Sequence, residues 1–313
     1  MIVFFTKRLL AALALLIVIT AITYALIYSG GGSIARNILG ELATRDQIEV
    51  LTAQLGLDQP LWVQYASWLS GAVRGDLGIS FFTATPVSQS ILTRLPVTLS
   101  IVTVVILLSA IISVVLGITA AVRRGWLDRG IQLFSVTAES LPNFWLGLVL
   151  VSALAISLQV FPATGYIPIT ESFGGWLSTI TLPVIALVIG GIASGAQQIR
   201  SAVIDVLRKD YVRTLRARGL PERTILARNV LRNAAPPAVT VISLQFIGLL
   251  GGAILIERVF ALPGLGSLAV SAAILGDIPV VMGTLITTAI IVVIVNLLVD
   301  FAITWINPKA RAQ

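Results

Sequence analysis

The chain has 313 residues, 57% of them hydrophobic and only 11% charged, with a mean hydropathy of +0.99 and a formal net charge of +7. A soluble globular chain is about half apolar and about a quarter charged, so this composition has too little polar surface for a water-exposed body and reads as a membrane protein. There is no cysteine and no histidine, which excludes disulfides, thiolate chemistry, the commonest zinc ligands, Ser-His and Cys-His nucleophile pairs, and an intramembrane protease with a histidine base.

A bilayer core needs about 20 apolar residues at about 1.5 Å each. Six segments qualify: Leu9 to Tyr28, Val97 to Val122, Ile131 to Gln159, Leu177 to Ile199, Ala238 to Ile256 and Ile278 to Val299. The first is longer than the apolar stretch of a signal peptide and is read as a retained anchor. The fold class is therefore an all-α polytopic membrane protein with six transmembrane helices.

Between the first two spans, Gly30 to Ser33 reads as a flexible exit. Thr44 with Gln47 is a capping-box pattern, and Gly56 ends the helix it starts. Pro60 opens a second helix, on which Leu61, Tyr65, Trp68, Leu69 and Ala72 recur at helical spacing. Gly75 and Gly78 break it, and Thr85-Pro86 starts a short helix expected to end before Pro96. The sequence thus divides into an N-terminal transmembrane helix over 1–30, an extracytoplasmic helical cap over 31–96, a five-helix core over 97–306 that includes a cytoplasmic loop over 200–236, and a cytoplasmic tail over 307–313.

Charge sets the orientation. With the N-terminus inside, only Arg36, Arg45, Arg74, Arg94 and Arg258 of the 21 basic residues fall outside. Such an asymmetry places both termini in the cytoplasm. The loop between spans four and five is the most basic part of the chain. It reads DYVRTLRARGLPERTILARNVLRNAAPP from Asp210 to Pro237. Three readings compete: a loop touching anionic headgroups, a nucleic-acid helix-turn-helix, and a docking element for a cytoplasmic partner. Geometry favours the third. Asp210 is expected to cap a helix starting at Tyr211. Tyr211, Val212, Leu215 and Gly219 then share one face, with Arg213 and Arg216 on the other side. That apolar ridge would fill a groove on the partner, and Gly219 would allow close backbone approach. Pro221 restarts the chain as a second helix, and Pro236-Pro237 is expected to end it before span five. Nucleic acid is disfavoured because membrane spans flank the loop tightly.

At these residues the chain resembles a known family. YVRTLRARGLPERTILARNVLRNAAPP is similar to the cytoplasmic coupling motif of ABC importer permeases, in the form used by the dipeptide/oligopeptide/nickel transport family. Arg213-Thr214-Leu215 stands where that family commonly has Arg-Thr-Ala, and Gly219 is kept. GLDQPLWVQYASWLSGAVRGDLGISF (Gly56 to Phe81), LPNFWLG (Leu141 to Gly147) and ERVFALPGLGSLAVSAAILGDIPVV (Glu257 to Val281) resemble three further stretches of the same family, in order along nearly the whole chain. SGGGSIA departs from the Pro-Gly-Asp-Pro-like turn often found after its first span.

The resemblance implies a type I ABC importer permease fold in a bacterial or archaeal cytoplasmic membrane. It implies partners: a homologous second permease subunit, two ABC ATPase subunits, an extracytoplasmic solute-binding protein and the membrane lipid. Asp210, Tyr211, Val212, Arg213, Thr214, Leu215, Arg216 and Gly219 would form the ATPase-coupling element, moved as a rigid lever by ATP-driven closure. Peptides are the implied substrate, with nickel chelates or glutathione-like solutes as alternatives. No G-x-x-x-x-G-K-[ST] sequence occurs. This subunit is therefore expected to have no catalytic residue, no metal and no cofactor of its own, with ATP and Mg bound by the partner ATPases.

Single residues carry two readings each. Glu139 is the one carboxylate placed well inside an expected span. It is either a pathway residue meeting a substrate amine or a solvated residue near the cytoplasmic mouth, and its depth favours the second. Pro142 is expected to kink its helix. Asn143 and Gln245 either line the path or bond between helices, the latter being the commoner role. Pro263-Gly264-Leu265-Gly266 reads as a turn into a short outer helix. A secondary transporter is the remote alternative, since it would show coupling-ion carboxylates or broken helices at the midplane.

Overall fold

The computed structural model describes residues 2–28, 34–123 and 125–306. The expected flexible exit at Gly30 to Ser33 and the tail over 307–313 lie outside them. In chain order the helices are α1 (Ile2–Tyr28), α2 (Ile34–Leu39), α3 (Arg45–Gln54), α4 (Leu61–Val73), α5 (Val87–Val122), α6 (Trp126–Glu139), α7 (Asn143–Leu150), α8 (Phe173–Leu207), α9 (Asp210–Ala217), α10 (Glu222–Thr224), α11 (Leu231–Val259), α12 (Leu265–Leu275) and α13 (Ile278–Ile306). A wider π turn over Val151–Ser157 extends α7, and another over Ile225–Val230 joins α10 to α11. Among the described residues five helices are long and apolar enough to cross a membrane, and the bent pair α6 and α7 makes a sixth crossing if it counts as one.

Local sequence signals explain most boundaries. Thr44 and Gln47 exchange the two bonds of a capping box at the start of α3. Gly56 follows that helix at φ +67, a conformation that costs a residue with a Cβ. Pro60 precedes α4, and Gly264 precedes α12.

Prolines are where expectation and structure part. The helix expected to stop before Pro96 runs unbroken from Val87 to Val122. Pro236 and Pro237 sit inside α11 rather than ending a helix. A proline deletes one backbone donor and crowds the carbonyl four residues back. Packing and neighbouring groups let a membrane helix continue past that defect. Val230 and Ala234, in the turns before these prolines, are both buried in one cluster. At Pro142 the error is in the other direction. The expected kink in a span over 131–159 is a full break, with α6 and α7 meeting at 91°. Pro142 takes an extended ψ of 133, and proline pushes the residue before it out of the helical region as well.

The chain divides into two compact units, Met1–Pro96 with Pro263–Val293, and Val97–Leu262 with Ile294–Gln313. In the first, α4 is fastened to α1. Tyr24 donates to the Gln64 amide oxygen at 3.2 Å, and Thr20 and Tyr65 hydroxyls lie 2.9 Å apart. Tyr24, Ile34, Leu57, Ile278 and Met282 pack beneath them. Asp277, just before α13, is buried and accepts from the Ser80 hydroxyl and the Phe81 amide.

The second unit is built around α8. One face of this helix is small: a Cβ on Gly195 would lie 2.5 Å from Ser113 Oγ, and one on Gly191 2.6 Å from Ser109 Oγ. On α5, a Cβ on Gly117 would lie 2.8 Å from the Ala196 carbonyl oxygen. Small residues let membrane helices approach closely and pack by dispersion, because lipid gives no hydrophobic drive between them. Ser113 donates to the Ile192 carbonyl at 3.2 Å across this seam. On its other side α8 holds α6 through a two-pronged ion pair from Arg200 to Asp128, at 2.6 and 2.8 Å.

We expect Gly117→Val to lower stability by about 1–3 kcal/mol through overpacking of this seam. Gly248→Ala, where a Cβ meets nothing within 4 Å, should be neutral or slightly stabilising. Thermal unfolding of the detergent-solubilised protein, followed by tryptophan fluorescence, separates the two.

Candidate functional site

The basic segment forms a small, well-defined body in the second unit. After α8 ends at Leu207, Lys209 takes an extended ψ of 145 and turns the chain into α9. Asp210 is the first helical residue rather than the cap, and the capping residue Lys209 offers no side-chain bond. Its carboxylate is placed in the first turn, where it complements the helix dipole, and Arg213 lies 3.5 Å from it. Thr214 donates back to the Asp210 carbonyl at 3.1 Å. Gly219 ends the element at φ +75, and Pro221 precedes α10.

The expected amphipathic face is present, but it does what the sequence reading did not foresee. Val212 is 0% exposed and packs with Ala121, Ile199, Val203, Ile225 and Val230 of its own unit. Leu215 and Leu220 join that cluster partly buried. The Asn233 amide donates to the Tyr211 hydroxyl at 3.2 Å. Val212, with Leu215 beside it, is thus the keel that seats α9 on its own unit, whereas Tyr211 and Gly219 of the expected face stay exposed. A ridge shows that a helix buries one side; it does not say against which chain. Also exposed are Arg213, Thr214, Arg216, Ala217 and Arg218. A Cβ on Gly219 would meet nothing within 4 Å. Arg216 is paired with Glu222, Nε to Oε1 at 2.5 Å and Nη2 to Oε2 at 3.3 Å. Hydrogen bonding to that carboxylate raises the Arg216 pKa above its ordinary value. The pair locks the two sides of the Gly219 turn together, although its exposure keeps its worth at or below about 1 kcal/mol.

The three residues named for a path separate. Glu139 is the last residue of α6, exposed at the break. Asn143 opens α7, and its side-chain oxygen would lie 3.1 Å from a Cβ on Gly190. Gln245 on α11 donates to the Gly191 carbonyl at 2.9 Å. Asn143 and Gln245 therefore meet the same stretch of α8, and Gln245 bonds between helices there; Glu139 is not with them.

A further carboxylate escaped the sequence reading. The expected span ends at Ile256, but α11 continues to Val259 and Glu257 is 1% exposed. Thr98 donates to it at 2.5 Å. The spacing held the clue: Ala253, Ile256, Glu257 and Phe260 are all buried and recur as one helical face.

With this geometry in hand, comparison with known proteins is decisive. Residues 113–312 match the family described as binding-protein-dependent transport system inner membrane component, and residues 1–102 match the N-terminal region of such components. The chain belongs to this family. It is a permease of the peptide and oligopeptide class of ABC importers, and a multi-pass membrane protein. A Brucella abortus protein named as a peptide transport system permease is 36% identical over 306 residues, covering 97% of this chain and 98% of that one. The glutathione transport system permease protein GsiC of Escherichia coli K12 is also 36% identical over 306 residues, with 97% of each covered. Among solved structures, an inward-facing form of the MetNI methionine ABC transporter matches with a TM-score of 0.57 and 18% identity, over 70% of this chain and 97% of the matched one. That likeness shows the fold, the type I importer permease fold.

The packing of the permease's α9 gives a sharp expectation. Val212→Asp places a charge in a sealed cluster and should release α9, so that limited trypsin digestion cuts at Arg213 and Arg216 at least about tenfold faster, on the scale of a 3–5 kcal/mol penalty for an unpaired buried charge. Arg216→Ala removes an exposed pair and should leave the digestion rate within about twofold.

Proposed function

We infer that this permease forms half of the translocation pathway of an ATP-driven peptide importer and transmits ATPase motion through α9. The observation that supports the coupling role is the two-sided seating of that helix. Val212 fixes its inner face to the permease core, and its outer face, with Arg213, Thr214 and Arg216 to Gly219, is exposed. A helix so fixed moves with the body it is fixed to. A partner that grips the outer face therefore moves the spans directly, through the short Arg208-Lys209 connection to α8.

In this reading two ABC ATPase subunits carry the nucleotide chemistry and this subunit is not catalytic. A homologous second permease completes the pathway, and a solute-binding protein delivers cargo from the other side. The basic segment lies in the cytoplasm with both termini, as the arginine asymmetry favours. The substrate reading rests on relatives named for peptide transport that cover nearly the whole chain. A second substrate, glutathione, is favoured by the equally similar GsiC; it shares amide and carboxylate groups with short peptides.

The test reconstitutes the complete importer in vesicles and measures radiolabelled dipeptide uptake and ATP hydrolysis together. Thr214→Trp and Ala217→Trp load the exposed face of α9 without touching Val212. Each should cut uptake per ATP by at least about tenfold, within the 5–150-fold span of typical coupling energies, with unchanged protein yield. Full uptake in both variants removes the coupling role. Uptake driven by a proton gradient without ATP removes the importer reading altogether. Competition by glutathione against dipeptide decides the cargo.

A further inference from the structure

Beside the exposed face of α9, three helix ends line a cavity of about 450 Å³ that shares only Arg216 with that face. Its apolar wall is Ala121 and Val122 at the end of α5, Leu207 at the end of α8, and Leu226. Its polar side is Arg216, Glu222 and Arg223. The two arginines differ. Arg216 is held by Glu222. Arg223 is exposed and has no ion-pair or hydrogen-bond partner among the described residues. The net charge of the cavity is therefore that of one uncommitted guanidinium.

A cavity with hydrocarbon on one side and an uncommitted guanidinium on the other matches an amphiphile with an anionic head. A soluble anion would leave the apolar wall wet, and a neutral hydrocarbon would leave Arg223 unanswered. The volume falls within the roughly 300–1,000 Å³ of ligand pockets. The cavity also lies at the ends of two helices long and apolar enough to cross a membrane, and basic pockets between spans take phosphate-bearing lipids. Guanidinium forks bind phosphate oxygens with two parallel bonds, which an ammonium cannot do. Glu222 opposes a doubly charged head and favours a singly charged phosphodiester.

We propose that this cavity binds an anionic glycerophospholipid, its phosphodiester on Arg223 and the first methylenes of its chains against Val122, Leu207 and Leu226. The bound lipid lies beside the Gly219 turn and stiffens the seat of α9, so the proposal does not depend on what α9 grips.

The experiment is native mass spectrometry of the detergent-purified importer complex, titrated with phosphatidylglycerol or phosphatidylcholine. Wild type should retain phosphatidylglycerol in preference to phosphatidylcholine. Arg223→Gln should weaken that retention about fivefold, the effect of losing one base at an anionic surface. Arg223 is exposed, so this variant should fold, and thermal unfolding checks that it does. Equal retention by wild type and Arg223→Gln overturns the proposal. Displacement of the lipid by inorganic phosphate identifies a soluble-anion site and overturns it as well. Loss of ATPase subunits from Arg223→Gln in the absence of any lipid assigns the cavity to a protein contact instead, and also overturns it.

Discussion

Within a bilayer no water answers an exposed amide or carbonyl, so every backbone polar group must find its partner inside the protein. That constraint governs the rest of the structure. It makes the spans helical, and it explains why Pro96, Pro183, Pro236 and Pro237 are carried within helices. It also sets where irregular backbone is allowed. The one full break in an expected span, between Glu139 and Asn143, is followed by α7, which packs on Gly190 and Gly252 through Asn143. With hydrophobic drive absent between spans, contact must come from close approach and a few polar bonds. The Gly117, Gly191 and Gly195 seam and the Gln245 bond to Gly191 supply both.

The spans, the cap signals and the family were legible in the sequence, because each rests on a local rule: apolar run length, a Thr–Gln box, a glycine at positive φ. What was not legible is tertiary. The periodicity of α9 correctly gathered Tyr211, Val212 and Leu215 on one side. It could not say that Ile199, Ile225 and Val230 would cover Val212. The prolines show the same limit. Proline has a fixed local effect, yet Pro96 is carried inside a helix and Pro142 stands at the break between two, although both are exposed. Glu257 lies one residue past the apolar run that ends at Ile256, and its burial is tolerable because Thr98, distant in sequence, donates to it.

Polar groups buried or half-buried in this permease act as fasteners between segments far apart in sequence. Asp277 gathers Ser80 and Phe81, Tyr24 engages Gln64, and Arg200 grips Asp128 with both prongs. Removing one partner of such a pair costs more than the pair contributes, because the survivor is left desolvated. They therefore act mainly on which arrangement forms, by penalising those that leave them apart.

The length of α8 has a mechanical consequence. Its 35 residues make a rod of about 52 Å at about 1.5 Å per residue. A hydrocarbon core is about 30 Å thick, so wherever the bilayer sits along it, about 20 Å of α8 stands in the polar region or beyond. An overhang multiplies rotation. With the expected span ending at Ile199, the residues on to Leu207 extend about 12 Å further, and a tilt of about 5° where the rod leaves the membrane displaces that end by about 1 Å. Angular changes too small to disturb the packed glycine seam thus become, at the overhanging end, shifts the size of a hydrogen-bond rearrangement.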